Sequence, residues 1–228
     1  MTLEVLYEDN HCLAVNKPAG LLSQGDETGD LSLVALAADY LKARYGKPGN
    51  VYVGLVHRLD RPTSGAVLLA RTSKAAARLS AQFRSGEIPK VYWAVVEGRP
   101  EQPEGEWEDR LEKDRSVNRS RVLVRDDEPG RTARVAYRVL DRGGAWSTLE
   151  LRPATGRSHQ LRVQLAHRGL PIVGDRKYGS RSLLEAADGG RRIALHAREL
   201  SFKHPTRDEH VSVVAPLPVD WPAKGFSG

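Results

Sequence analysis

Cysteine is nearly absent, with Cys12 the only one in 228 residues. That excludes a disulfide framework within the chain and any zinc site built on paired cysteines. It predicts a reducing compartment, with Cys12 itself a small buried hydrophobe in an apolar run. Long apolar runs are missing too. Nothing approaches the roughly 18 apolar residues of a membrane helix. The first ten residues, "MTLEVLYEDN", carry acids where a secretory leader has a basic segment. A cytoplasmic protein with no membrane association is the expectation. There is no G-x-x-x-x-G-K-[ST] loop and no H-E-x-x-H pair, which removes P-loop nucleotide chemistry and that class of metalloprotease. His196, His204 and His210 lack metal-ligand spacing, and no metal is expected. Acidic residues are scarce in one stretch. Between Asp39 and Glu87 the only one is Asp60, in a segment rich in Lys and Arg.

What is present points to a folded, moderately basic protein. Hydrophobic residues make up 40% of the chain, enough for a sizeable core, and the net charge is +6. A positive balance favours an anionic partner such as nucleic acid. "EVLYEDNHCLAVNKPAG" reads as two strands around a polar turn, "VYVGLV" and "GAVLLA" as strands flanking the Asp60 segment, and "KVYWAVVEG" as another. Helical spacing marks "LSLVALAADYLKARYG", stopped at Gly46, and "TSKAAARLSAQFRSG", with Ser73 as N-cap and Gly86 as its end. The polar stretch from Arg99 to about Asp127 predicts short strands and an exposed hairpin. "RTARVAYRVL" and "AWSTLELRP" follow as strands across "DRGG". "SHQLRVQLAHRGLP" is a helix with Ser158 as N-cap, and two strands close the chain. Sequential strand pairs with few helices predict an α+β fold, a mixed, largely antiparallel sheet with flanking helices, in a single domain over residues 1–228.

Three places can carry chemistry. Asp60 stands in "GLVHRLDRPTSG" between Arg58 and Arg61, with His57 upstream. Flanking cations favour the ionised carboxylate, which suits a nucleophile or base and not a general acid. Thr63, Ser64 and Gly65 are turn formers that can aim it. An Asp that only pairs with Arg to tie a turn is the plainer reading of those residues taken alone. In "ATGRSHQLRVQLAHRG", Gly156, Arg157 and Ser158 lie at a helix start, where backbone N–H groups and a cation make an anion site. His159 and Arg162, three apart, are expected on one helix face, with Leu161 and Leu165 toward the core. A solvated basic helix explains that segment equally well. Tyr92 and Trp93 should point to opposite faces of a strand, one into the core and one available to stack on a base.

Taken together, "NKPAGLL", "HRLDRPTSG", "KVYWAVVEG", "TGRSHQLRV" and "GLPIVGDRKYG" resemble, in that order and spacing, the motifs of the RluA-type pseudouridine synthases. The resemblance runs from about Glu4 to about Pro216. It implies isomerisation of specific uridines in structured RNA, ribosomal or transfer RNA stem-loops. The N1–C1′ bond breaks, the base turns, and it is rejoined through C5. By resemblance Asp60 is the catalytic carboxylate, attacking C1′ or removing the C2′ proton. Tyr92 is the active-site tyrosine and Arg162 the basic partner of the aspartate. Arg58 holds the target nucleotide out of its helix. His57, Arg61, Thr63, Ser64, Gly65, Gly156, Arg157, His159 and Gln160 are expected at the RNA. The family uses no metal or organic cofactor, and a monomer without an obligatory protein partner is expected. Two departures stand out. Gln164 replaces a histidine common two residues after the "HQLR" arginine, which is expected to alter packing or an RNA contact. No separate N-terminal RNA-binding domain, of the kind often found in relatives, is expected. Substrate selection would then rest on the domain itself, with the arginines of residues 98–134 as candidates. A non-catalytic RNA-binding factor, or a hydrolase using Asp60 as nucleophile, are the competing readings.

Overall fold

The computed structural model describes residues 2–124, 130–184 and 192–222, so residues 125–129 of the polar stretch lie outside the described residues. In chain order the elements are β1 (Glu4–Glu8), β2 (Cys12–Lys17), α1 (Leu33–Tyr45), β3 (Gly54–Leu55), β4 (Ser64–Ala70), α2 (Ser73–Ser85) and β5 (Lys90–Glu97). There follow β6 (Glu104–Asp114), β7 (Arg119–Val122), β8 (Arg131–Arg142), β9 (Trp146–Pro153), α3 (Gln160–His167), a 3₁₀ turn (Arg176–Tyr178), β10 (Leu195–Lys203) and β11 (His210–Val214). Two compact units divide the chain. Met1–Lys90 with Ala197–Pro218 forms one, and Val91–His196 with Val219–Gly228 the other. The fold is α+β, with few helices and antiparallel strand pairing, as expected from the sequence.

In the first unit the strands run β1-β2-β4-β10, with β11 on β10 and β3 on β4. The β1–β2 turn forms because the Asp9 carboxylate accepts the N–H groups of His11 (2.8 Å) and Cys12 (2.7 Å). All seven residues of β4 are buried, which fits its unbroken apolar run. Against this sheet lie Ala75 and Leu79 of α2, packed with Cys12, Leu68, Ile88 and Phe202. A fully buried leucine such as Leu79 contributes about 1.5–3 kcal/mol. Both long helices are capped by hydroxyls, Ser32 on the Ala35 N–H and Thr72 on the Ala75 N–H, and both end on a left-handed glycine, Gly46 and Gly86. The N-cap of α2 is thus Thr72, one residue before the expected Ser73, because Thr72 holds the extended conformation and Ser73 is already helical. The "VYVGLV" strand is shorter than expected. Only Gly54 and Leu55 pair, with Ala70 and Leu69 at the end of β4. Gly65 has a positive φ of 116°, and a Cβ there would lie 2.3 Å from the Ala197 carbonyl oxygen. The close approach of β4 to β10 therefore requires glycine at this point.

The second unit is a sheet of order β5-β9-β8-β6-β7. Alternation in β8 explains its orientation: Ala133, Val135 and Tyr137 are buried while Arg134 and Arg138 are exposed. The hairpin expected in the polar stretch is β6–β7, paired from Leu111↔Val122 to Asp114↔Arg119. Helix α3 places Val163 against Leu111, Ala133 and Tyr178. The basic hairpin is less free than its arginine count suggests. Its Arg121 is held by Glu112 at 2.8 Å, and Arg134 of the neighbouring β8 is held by Glu108 at 2.7 Å.

Candidate active site

Asp60 lies half-buried in the loop between β3 and β4, and that loop is fixed through its backbone. Ser23 Oγ donates to the Leu59 carbonyl (2.7 Å) and accepts the Leu59 N–H (3.2 Å). Gly20 N–H donates to the Arg61 carbonyl at 2.8 Å, and Thr63 N–H to the Asp60 carbonyl at 3.0 Å. Lys17 is fully buried, and its Nζ donates to the carbonyls of Pro18 (2.9 Å), Leu21 (2.8 Å) and Arg61 (3.2 Å). Burial pushes its amine down to about 7, against the pull of the nearby Asp60 carboxylate. The "NKPAGLL" segment is therefore the clamp of the Asp60 loop. Lys17 acts within it and Ser23 immediately after it. Their signal was the adjacency of that segment to "HRLD" in the motif order.

The residues around Asp60 divide by exposure. Arg58 is exposed and has no hydrogen bond or ion pair among the described residues. Arg61 is exposed but tethered, by Nε to the Gly20 carbonyl (2.9 Å) and by a surface pair with Asp30 (2.8 Å). Thr63, Ser64 and Gly65 are buried where the loop passes into β4. His57 is engaged within the protein. Its Nε2 accepts the Leu68 N–H at 2.8 Å and its ring stacks on Phe83 at 4.2 Å. Its ring therefore serves the scaffold. Burial, with the charge of Lys90 adding to it, pushes its pKa down to about 3. Between about 6.5 and that value the unfolded chain takes up a proton the folded one refuses, so stability is lost as pH falls through this window. Urea midpoints should drop between about pH 7 and about pH 4.5, and His57→Gln should drop less. Equal losses in the two proteins would remove His57 from that account.

In the second unit, Tyr92 sits opposite Leu151 and Trp93 opposite Glu150 across the β5–β9 pair. Both are half-buried, so neither is the fully buried core partner expected. Helix α3 starts at Gln160 and the N-cap position is His159, not Ser158. His159 has a left-handed φ of 54° and offers no side-chain cap, so it does not share a helix face with Arg162. The turn before the helix is tied by Gln160, whose Oε1 accepts the Arg157 N–H (3.0 Å) and the Thr155 hydroxyl (2.8 Å). Gln160 is buried, and its side chain shapes the turn. Two N–H groups of the expected anion site, those of Arg157 and Gln160, are already bonded within the turn. Gly156 is exposed, and so is Arg157, whose Nε donates to the Thr132 carbonyl at 2.9 Å.

Arg162 and Leu161 and Leu165 are all buried. The guanidinium grips Asp175 with two bonds, Nε to Oδ2 at 2.7 Å and an Nη to Oδ1 at 2.9 Å. Its carbon also lies 5.0 Å from the centre of the Tyr178 ring. Asp175 and Tyr178 belong to "GLPIVGDRKYG", which was quoted from the sequence without either being assigned a role. Gln164 is fully buried and donates to Asp109 (2.7 Å) and to the Ala133 carbonyl (3.2 Å). The departure from the family histidine is thus a packing change and not an RNA contact.

Among the described residues, Asp9, Cys12 and His204 form one group with metal-like spacing. Its chemistry does not suit an ion. His204 Nδ1 faces the N–H groups of Thr206 and Arg207, so Nε2 carries the proton and points it at Asp9 (2.7 Å). Burial also pushes the Cys12 thiol up to about 12, far from thiolate.

The family model for RNA pseudouridylate synthases matches residues 11–167. A ribosomal large subunit pseudouridine synthase D of Xylella fastidiosa is 37% identical, over 96% of this chain and 67% of its own length. A dual-specificity RNA pseudouridine synthase RluA of Vibrio parahaemolyticus is 39% identical, over 89% of this chain and 78% of its own. Among solved structures, human RNA pseudouridylate synthase domain containing 4 superposes with a TM-score of 0.77 at 26% identity, covering 96% of this chain and 90% of the other.

Proposed function

As the chain belongs to the RNA pseudouridylate synthase family, we propose that it isomerises specific uridines of ribosomal or transfer RNA to pseudouridine, with Asp60 as the carboxylate that acts on the ribose. The rearrangement balances within the nucleotide. The N1–C1′ bond breaks, a C5–C1′ bond forms, N1 takes up a proton and the C5 proton leaves to water. The observation that carries the reading is the Asp60 loop itself. It lies inside the matched segment, its backbone is clamped by Ser23, Gly20 and Lys17, and Arg58 stands exposed beside it. By the family likeness, Tyr92 is the ring against the base, Arg162 the cation paired with the aspartate, and Arg58 the group that holds the flipped nucleotide out. Extruding a base costs a few kcal/mol, which favours loops and irregular stems as targets. No helix among the described residues is long and apolar enough to cross a membrane. The proposal includes a cytoplasmic monomer.

The test uses ribosomal and transfer RNA transcribed with tritium at C5 of uridine. Release of tritium to water from one of the two pools, at a stoichiometry of a few uridines per molecule, is the expected result. RNA affinity without release from either pool would favour a non-catalytic binder. Neither release nor affinity would discard the RNA assignment.

A further inference from the structure

Tyr178 carries none of the roles assigned above, yet two separate segments, β7 and the turn into α3, meet at its side chain. Its hydroxyl accepts the Ser120 N–H of β7 at 2.9 Å and shares a 2.8 Å hydrogen bond with Nδ1 of His159. Its ring has the Arg162 guanidinium 5.0 Å from its centre and that of Arg119 at 5.3 Å, both within cation–π range. The residue is buried. The segment that carries it is short and grips in two directions. Asp175, immediately before the 3₁₀ turn, and Tyr178, its last residue, both hold Arg162. Lys177 and Tyr178 both hold the β6–β7 hairpin, since Lys177 Nζ donates to the Asn118 carbonyl (2.6 Å) and the Val117 carbonyl (3.3 Å). Ser120 adds a bond from its own hydroxyl to the Ser158 carbonyl at 2.7 Å.

Two parallel hydrogen bonds to one carboxylate align the guanidinium edge with Asp175. The Tyr178 ring, its centre 5.0 Å from the guanidinium carbon, adds a contact that the carboxylate does not supply. We infer that Tyr178 is a positioning residue, whose ring seats Arg162 while its hydroxyl keeps the His159 turn and the β7 strand in fixed register with it. The inference rests on the reading of Arg162 as the cation of the reaction.

The test separates ring from hydroxyl. Tyr178→Phe, Tyr178→Leu and Arg162→Lys are compared with the native protein for kcat and KM in tritium release, with thermal unfolding as the control. Tyr178→Phe keeps the ring, so kcat stays within about threefold, while KM rises about tenfold as the His159 turn and β7 loosen. Tyr178→Leu loses the seat as well, and its kcat falls a further tenfold or so. Two variants that melt earlier but keep native kcat and KM while folded would reduce Tyr178 to a structural residue and overturn the inference. So would Phe and Leu variants with equal kcat. Should the leucine variant not fold, an unchanged KM in Tyr178→Phe overturns it alone. Native kcat in Arg162→Lys sinks the role of Arg162 and this inference with it. Native kinetics in the Tyr178 variants beside a crippled Arg162→Lys sink the inference only.

Discussion

Asparagine in place of Asp60 is expected to abolish tritium release while leaving RNA affinity within about twofold of the native value. The substitution keeps the shape of the side chain and removes its charge and its nucleophilic oxygen. The loop should survive the change, because the bonds that fix it run through the backbone of Leu59, Asp60 and Arg61 and through Ser23, Gly20 and Lys17. A group that acts directly on the reacting carbon is not replaced by its neighbours, so a loss of about 10⁴-fold or more is the expected scale. Melting temperature should move little. Release within tenfold of native from a well-folded Asp60→Asn would take the chemistry away from this residue.

The second large effect concerns stability and activity together. Asp175 is 1% exposed and its partner Arg162 6% exposed. Arg162→Met should strand a buried carboxylate and cost about 3–5 kcal/mol, seen as a fall in the urea midpoint. Arg162→Lys should recover part of that, since a single ammonium cannot bridge both oxygens. Adding Asp175→Leu to Arg162→Met removes the stranded charge and should bring most of the stability back. Activity should stay lost in both. That contrast separates the structural and the chemical work of Arg162. A double variant that regains turnover along with stability would show that Arg162 only holds the fold.

Much of this was legible in the chain itself. Strand pairs, the three helices and the loop that carries Asp60 follow from periodicity and turn residues. The motif order identified the chemistry. What was not legible depended on partners distant in sequence. His57 reads as a residue expected at the RNA, and only the fold shows that its ring meets the Leu68 amide and the Phe83 ring. Gln160 reads as a polar helix residue, and only the backbone of Arg157 and Arg134 shows what it binds. Ser158 has the chemistry of an N-cap, yet the left-handed turn at His159 displaces it from that position. The arginines of residues 98–134 could be counted, but the pairing of Arg121 with Glu112 and of Arg134 with Glu108 is a matter of strand register. Asp175 had no visible purpose until Arg162 was found against it, 13 residues away in the chain.

The buried Cys12 gives the first unit a built-in clock. As the only sulfhydryl of the protein, fully enclosed and with its proton held up to about 12, it is invisible to alkylating reagents while β2 stays in place. A reagent added in excess therefore reports how often that strand leaves its sheet, at a single atom and without any introduced label. The same enclosure makes the thiol indifferent to peroxide in the native state, so oxidation at Cys12 would be a record of excursions from the fold and not of exposure to oxidant.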